Sequence, residues 1–275
     1  MNANKNKTNP ATHWKNALKT AMEAAGAAGA VMRKNLQLPK KINASEQHDI
    51  KLDLDVRCQK LIEKNLRKAF PKIAILGEEG ITGNIESEER WVVDPIDGTV
   101  NFTYGIPHAC VSIALQQRMP SRRKAASDGE FQTVVGVVYD PFTNEMFTAV
   151  RGEDAKLNGR KIVVSSRSRL GEAIVSVGFA KSTKNLELML PHFNKMVYEV
   201  RKIRIMGAAA LAMVYVASGR FEAYVESGVR LWDIAAGGLI LECAGGDFWH
   251  ESVGPDHTYR VVANNGKLRK KLMFH

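Results

Sequence analysis

Apolar residues fall at helical spacing near the start of the chain. Trp14, Leu18, Ala21, Met22, Ala25 and Ala28 make one stripe, which predicts a long helix running to about Leu36. Asn9-Pro10 supplies its cap and first-turn proline. A second stripe, Cys58, Leu61, Ile62, Leu66, Ala69 and Phe70, predicts a helix that Pro71 stops. Residues 72–76 then read as a short apolar strand and 90–93 as another, which Asp94-Pro95 is expected to end. Three β-branched and aromatic runs, 110–115, 133–139 and 145–150, predict antiparallel strands, the last two joined by a turn at Asp140-Pro141. In the second half, strands are predicted at 174–178, 203–206, 221–226 and 260–263. Helices are predicted at 184–200, 208–218 and 233–244, the last two closed by Gly219 and Gly245-Gly246. Residues 1–8 read as a polar tail, 37–48 as irregular, and 117–130 as a polar, basic loop. No repeat is present. The order predicts an α+β or α/β chain of two stacked sheets layered with helices. The tail precedes an N-terminal half (9–155) and a C-terminal half (156–275) that completes the site.

Composition narrows the function classes. The chain has 275 residues, 45% hydrophobic and 25% charged, as in an ordinary globular protein. No apolar run approaches the roughly 20 residues that span a bilayer, and the first ten residues lack the apolar core of a secretory signal. A membrane role is therefore excluded and a cytoplasmic address expected. Cys58, Cys110 and Cys243 show no paired spacing and read as reduced thiols. The net charge of +10 allows a nucleic-acid partner. The basic residues are dispersed, however, apart from Arg122-Arg123-Lys124 and the group Lys267, Arg269, Lys270 and Lys271. No aromatic residues interleave with either cluster as stacking platforms, so nucleic acid is not the favoured partner.

The chemistry concentrates in Asp94-Pro-Ile-Asp-Gly-Thr99. An apolar strand delivers Asp94, and the following turn is expected to swing Asp97 to the same side. Two carboxylates so placed, with the Ile96 carbonyl between them, can face one hard cation. Gly98 and Thr99 open the next segment, whose free backbone N–H groups suit a phosphate, and the Thr99 hydroxyl could orient a water. A DxxD pair in isolation usually caps turns; the apolar strand before it and the fixed Pro, Gly and Thr shift the balance to metal-assisted hydrolysis. Glu78 also follows an apolar strand. Asp233 opens a helix and alone reads more readily as its N-cap than as a ligand, and Asp55, just before a helix, is likewise an ambiguous cap.

Gly77-Glu78-Glu79, Asp94-Pro-Ile-Asp-Gly-Thr99 and Trp232-Asp-Ile-Ala-Ala-Gly237 together resemble the inositol monophosphatase family of lithium-sensitive, magnesium-dependent phosphatases. Gly136-Val-Val-Tyr-Asp-Pro141, Leu157-Asn158-Gly159 and Val262-Ala-Asn-Asn265 add to the likeness, which runs from about Asp49 to Asn265. The resemblance implies a layered αβαβα sandwich with two β-sheets, like the sugar phosphatases, and a homodimer. It implies that Glu78, Asp94, the Ile96 carbonyl, Asp97 and Asp233 hold two or three Mg2+ ions. Gly98 and Thr99 would bind phosphate, and Asp55 and Thr99, with Glu78, would activate water. Gly207, Ala208, Ala209 and Glu226 would face the substrate, alongside Ile96, Asp97 and Asp233. Ala208 stands where many members carry Ser or Thr, and the 117–130 insertion is longer than usual; both bear on the substrate. The expected reaction is hydrolysis of a small polyol phosphate, inositol monophosphate first. Fructose 1,6-bisphosphate, adenosine bisphosphate, NADP or histidinol phosphate are alternatives. A nucleic-acid or transcription-complex role is the alternative from another class.

Overall fold

A computed structural model describes residues 10–40, 42–45, 50–119, 131–180, 182–254 and 256–273. The predicted tail, Asn9 and the basic triplet at 122–124 lie outside these residues. Helix α1 (Pro10–Asn35) leads to a hairpin, β1 (Ile42–Ser45) and β2 (Ile50–Leu52), and to helix α2 (Asp53–Ala69). Strands β3 (Ala74–Gly77), β4 (Gly80–Thr82) and β5 (Glu89–Asp97) precede a short helix α3 (Thr99–Thr103). Then come β6 (Cys110–Arg118), β7 (Phe131–Asp140), β8 (Glu145–Val150), β9 (Lys156–Leu157) and β10 (Arg160–Lys161). The remainder is β11 (Ile174–Val177), α4 (Thr183–Glu199), β12 (Lys202–Arg204), α5 (Ala209–Ala217), β13 (Ala223–Arg230) and α6 (Leu231–Cys243). The chain closes with β14 (Asp247–Gly254), β15 (Thr258–Asn264) and α7 (Arg269–Leu272).

Eight strands form one sheet in the order β10-β9-β8-β7-β6-β5-β3-β4, and five form another, β12-β11-β13-β15-β14. Strand alternation sorts the large sheet's side chains into two layers. Trp91, Val93, Val111, Ile113, Val135 and Val137 bury against the alanine-rich stripe of α1 and against Cys58, Ile62 and Leu66 of α2. The opposite face, with Val92, Ala114, Val138 and Phe147, packs on α5 and α6, which also meet Tyr224, Tyr259 and Val261 of the small sheet. The small sheet's outer face packs Val175, Val225 and Val262 on Met189 and Met196 of α4 and Leu272 of α7. The result is the expected αβαβα sandwich. Helix α6 can occupy the middle layer because its side chains are small there and because Gly136 of β7 has none. A Cβ on Gly136 would stand 2.8 Å from the Ala236 carbonyl oxygen.

Several expectations shift. Helix α2 begins at Asp53, so Asp55 is inside its first turn rather than ahead of it. Helix α6 begins at Leu231 and places Asp233 third in the helix. Pro95 does not end its strand; β5 continues to Asp97 through a bulge. Strand β13 continues past Glu226 to Arg230, beyond the strand predicted at 221–226. β1 falls within the segment read as irregular, and β14 has no counterpart among the predicted strands. The described residues contain no helix long and apolar enough to cross a membrane.

Candidate active site

The bulge in β5 creates the pairing of Asp94 with Asp97. Asp94 lies opposite Ser112 of β6 and Asp97 opposite Cys110, so Pro95 and Ile96 together oppose the single residue Val111. Residues three apart on a regular strand point to opposite faces; one extra residue returns the second to the first one's side. Pro95 suits the bulge because the missing N–H costs no ladder bond there. The Asp94 carboxylate takes the Ile96 N–H at 2.9 Å, and the Thr99 hydroxyl donates to the Ile96 carbonyl at 2.8 Å, so the bulge is braced from both ends.

Glu78 arrives beside Asp94 because β3 runs parallel to β5, with Gly77 in register with Val93 and the Glu78 N–H donating to the Val93 carbonyl at 3.1 Å. Asp97 reaches the middle layer and accepts the Ala209 N–H at 3.1 Å and the Ala210 N–H at 2.8 Å. Those are first-turn amides of α5, which have no partner inside the helix. Ala208 at the N-cap has no oxygen to offer them, so Asp97 caps the helix from another sheet. Asp233 accepts the Arg230 N–H at 2.8 Å. The Ser112 hydroxyl donates to the Trp232 carbonyl at 3.0 Å, fixing the start of α6 to the large sheet. Asn101 ties α3 to the segment before α5 through the Met206 carbonyl at 2.8 Å.

These elements enclose a cavity of about 420 Å3 between the two sheets. Glu78, Asp94, Asp97, Asp233 and Glu226 line it, with Ile96, Gly98, Thr99, Gly207, Ala208 and Ala209. The structure therefore brings together every expected site residue except Asp55, which is buried in α2 outside the lining. Sequence reasoning missed Asn101, Gly178, Phe179, Ile205 and Tyr224, which also line the cavity. Tyr224 was within reach of it, two residues before Glu226 and hence on the same strand face. Gly98 has φ of 90° and admits no side chain, since a Cβ would lie 2.9 Å from the His108 carbonyl oxygen.

Among the described residues no lysine, arginine or histidine lines this cavity, although the chain as a whole carries a net charge of +10. Four of the five carboxylates are held above the usual carboxylate range. Burial, then Glu78, Asp97 and Asp233, push Asp94 well above the usual carboxylate range, and a hydrogen bond shared with Glu78 acts in the same direction. Burial and then Asp97 and Glu78 do the same to Asp233. Asp97 is pushed up to about 6 by burial, against the pull of the α5 amides. Glu226 is pushed up to about 7, again chiefly by burial. The donors are all hard oxygens of excess negative charge, which fits divalent cations of the magnesium class. Among the described residues no three acidic, histidine or cysteine side chains already close around one ion-sized point, so the carboxylates present an open wall.

The model of the inositol monophosphatase family matches residues 13–273. A Pseudomonas aeruginosa protein named Nus factor SuhB is 38% identical over 269 residues, covering 93% of this chain and 94% of its own. Tomato inositol monophosphatase 1 is 36% identical over 263 residues, covering 92% of each chain. The crystal structure of the extragenic suppressor protein SuhB from Bartonella henselae superposes with a TM-score of 0.83 at 32% identity, covering 93% of this chain and 96% of that one.

Proposed function

The chain belongs to the inositol monophosphatase family, and we propose that it hydrolyses the phosphate monoester of a small polyol with magnesium, inositol monophosphate being the first substrate to test. The observation that carries this reading is the five-carboxylate cavity, which no basic side chain among the described residues lines. Such a wall can hold a phosphate only when divalent cations stand between the two.

Glu78, Asp94, the Ile96 carbonyl, Asp97 and Asp233 would hold two or three Mg2+ ions. Bound there, the ions would polarise the phosphoryl group and make water a better nucleophile. The residues of the chain do the remaining work. Gly98 and Thr99 begin α3 at the cavity, and their backbone N–H groups would fix the phosphate oxygens. The Thr99 hydroxyl hydrogen is committed to Ile96, so its oxygen remains as an acceptor that would orient an attacking water. Asp55 lies outside the lining and would act on that water through Thr99 once the hydroxyl hydrogen turns from Ile96 to the Asp55 carboxylate. Gly207, Ala208 and Ala209 would border the leaving alcohol, with Glu226 accepting from its hydroxyls. Ala208 offers no hydrogen bond there, so backbone and Glu226 would carry the selection. Lithium sensitivity, a homodimer and a cytoplasmic address belong to the same proposal.

The test is a panel of phosphate monoesters with and without magnesium. Chelation should abolish phosphate release and added magnesium restore it; full activity in excess chelator would sink the reading. A second role, in a transcription complex, is supported by the names of the Nus factor relatives and by the +10 charge. Binding alone has no use for a five-carboxylate cavity, so the enzyme reading leads. Retention of nucleic-acid binding in an inactive Asp94→Asn variant is the observation that would separate the two.

A further inference from the structure

Strand β13 divides its side chains between two cores. Ala223 and Val225 face the outer layer with α4, whereas Tyr224 packs in the middle layer with α5 and α6. Glu226, two residues on, shares the face of Tyr224. The phenol hydroxyl donates a short hydrogen bond to Glu226 Oε2. Tyr224 is 2% exposed, so its ring is fixed by packing and its polar tip meets the carboxylate rather than water. On another side the Glu226 carboxylate lies against Gly178. A Cβ built there would come 1.5 Å from Oε2, so only a residue without a side chain leaves room. The Gly178 N–H donates to the Val225 carbonyl at 3.1 Å, which fixes that backbone beside β13. All three residues line the cavity.

We infer that Tyr224 is a positioning residue for substrate selection. With Gly178 it holds the Glu226 carboxylate in one orientation, the phenol occupying Oε2 and leaving Oε1 to accept a hydroxyl of the leaving alcohol. A carboxylate clamped in advance loses little freedom when the substrate arrives, so the clamp raises the preference for hydroxyl-bearing esters. This inference rests on the polyol phosphatase reading.

Tyr224→Phe removes the hydroxyl and keeps the ring in its core. Kinetics are measured at saturating magnesium for wild type, Tyr224→Phe, Glu226→Gln and the double variant, with melting curves beside them. The two substrates are inositol monophosphate and p-nitrophenyl phosphate, which has no hydroxyl beside the ester. Tyr224→Phe should raise KM for inositol monophosphate about 5-fold, with kcat changed by less than about 2-fold and a much smaller shift on p-nitrophenyl phosphate. In the Glu226→Gln background it should add less than about 2-fold, because the two residues act as one unit. Gly178→Ala displaces Glu226 from the other side and should give the same split; it carries the test if Tyr224→Phe melts far below wild type. Equal shifts on both substrates, or full additivity in the double variant, overturn the inference. A hydroxyl preference that survives Tyr224→Phe overturns the inference alone. A wild type that cleaves p-nitrophenyl phosphate without preferring hydroxyl-bearing esters overturns the polyol reading, and the inference with it.

Discussion

Asp94→Asn and Asp97→Asn remove the same charge from the same cavity, yet the structure predicts different effects on the metal-free protein. At position 94 one oxygen accepts the Ile96 N–H at 2.9 Å, and a carboxamide keeps that oxygen while its NH2 can donate to Glu78. The substitution therefore relieves repulsion and loses no bond. At position 97 both oxygens are engaged, by the Ala209 and Ala210 amides at 3.1 and 2.8 Å. An asparagine can satisfy only one of them and turns a donor toward the other, which costs about 1–3 kcal/mol for a buried N–H left without an acceptor. Against this, relief of a carboxylate whose pKa stands at about 6 rather than 3.8 is worth roughly 3 kcal/mol at neutral pH and above. For Asp97→Asn the lost amide acceptor takes back between about a third and all of that relief, whereas Asp94→Asn keeps its gain. Thermal melting at pH 8 in chelator should rank Asp94→Asn above wild type and Asp97→Asn below Asp94→Asn by several degrees, at about 2–4 °C per kcal/mol for a chain of this size. Both variants should lose most phosphate release in magnesium. Asp97→Asn melting at or above Asp94→Asn would refute the capping argument. Near-normal turnover in either would show that the aspartates only shape the bulge.

The same burial makes the metal-free protein sensitive to pH. Asp97 at about 6 and Glu226 at about 7 sit above their unfolded values of 3.8 and 4.5, so over this span the folded state binds more protons and loses stability as pH rises. Melting in chelator should fall from pH 5 to pH 8 and flatten in magnesium; a rise over that range in chelator contradicts the assignment. Glu226→Ala should raise KM for inositol monophosphate by roughly 10-fold, the equivalent of one charge-assisted hydrogen bond of ~1.5 kcal/mol, with far less effect on p-nitrophenyl phosphate. Equal losses on both substrates would move Glu226 to the support of the metal site.

Much of this was legible because the carboxylates follow apolar strands, and a period-2 apolar run is a local signal. What brings them together is not local. The bulge at Pro95 and Ile96 depends on register with Ser112 and Cys110 of β6, and nothing within Asp94-Pro-Ile-Asp97 distinguishes a bulge from a turn. Ser227-Gly228 likewise reads as a loop, because glycine is a poor strand residue. It remains in β13 through pairing with β15, with Gly228 at φ of 98° beside a second bulge. Strand β14, Asp247–Gly254, mixes charged, aromatic and glycine residues without alternation, and its partner β15 decides its state. Asp233 was readable as a helix-start residue, but not as the residue that accepts from Arg230, one position before the helix proper.

The middle layer explains how five carboxylates are tolerated in one cavity that no basic side chain among the described residues lines. Helices α3, α5 and α6 all begin at its wall, with Thr99, Ala209 and Asp233 in their first turns. Each helix start carries a partial positive charge from aligned peptide dipoles and unpaired N–H groups, which favours anions. Side chains of the large sheet and α3 set where those helices start: Asp97 at α5, Ser112 at α6 and Asn101 across the segment before α5. Helix α5 is then free to be almost wholly apolar, from Ala210 to Ala217, because its polar obligations are met from another layer. The α5 amides pull Asp97 down against burial, whereas Asp94 and Asp233 stay raised well above the usual carboxylate range. Divalent cations would offset that burial and mutual repulsion, and an anionic substrate entering the same cavity would need those cations for the same reason.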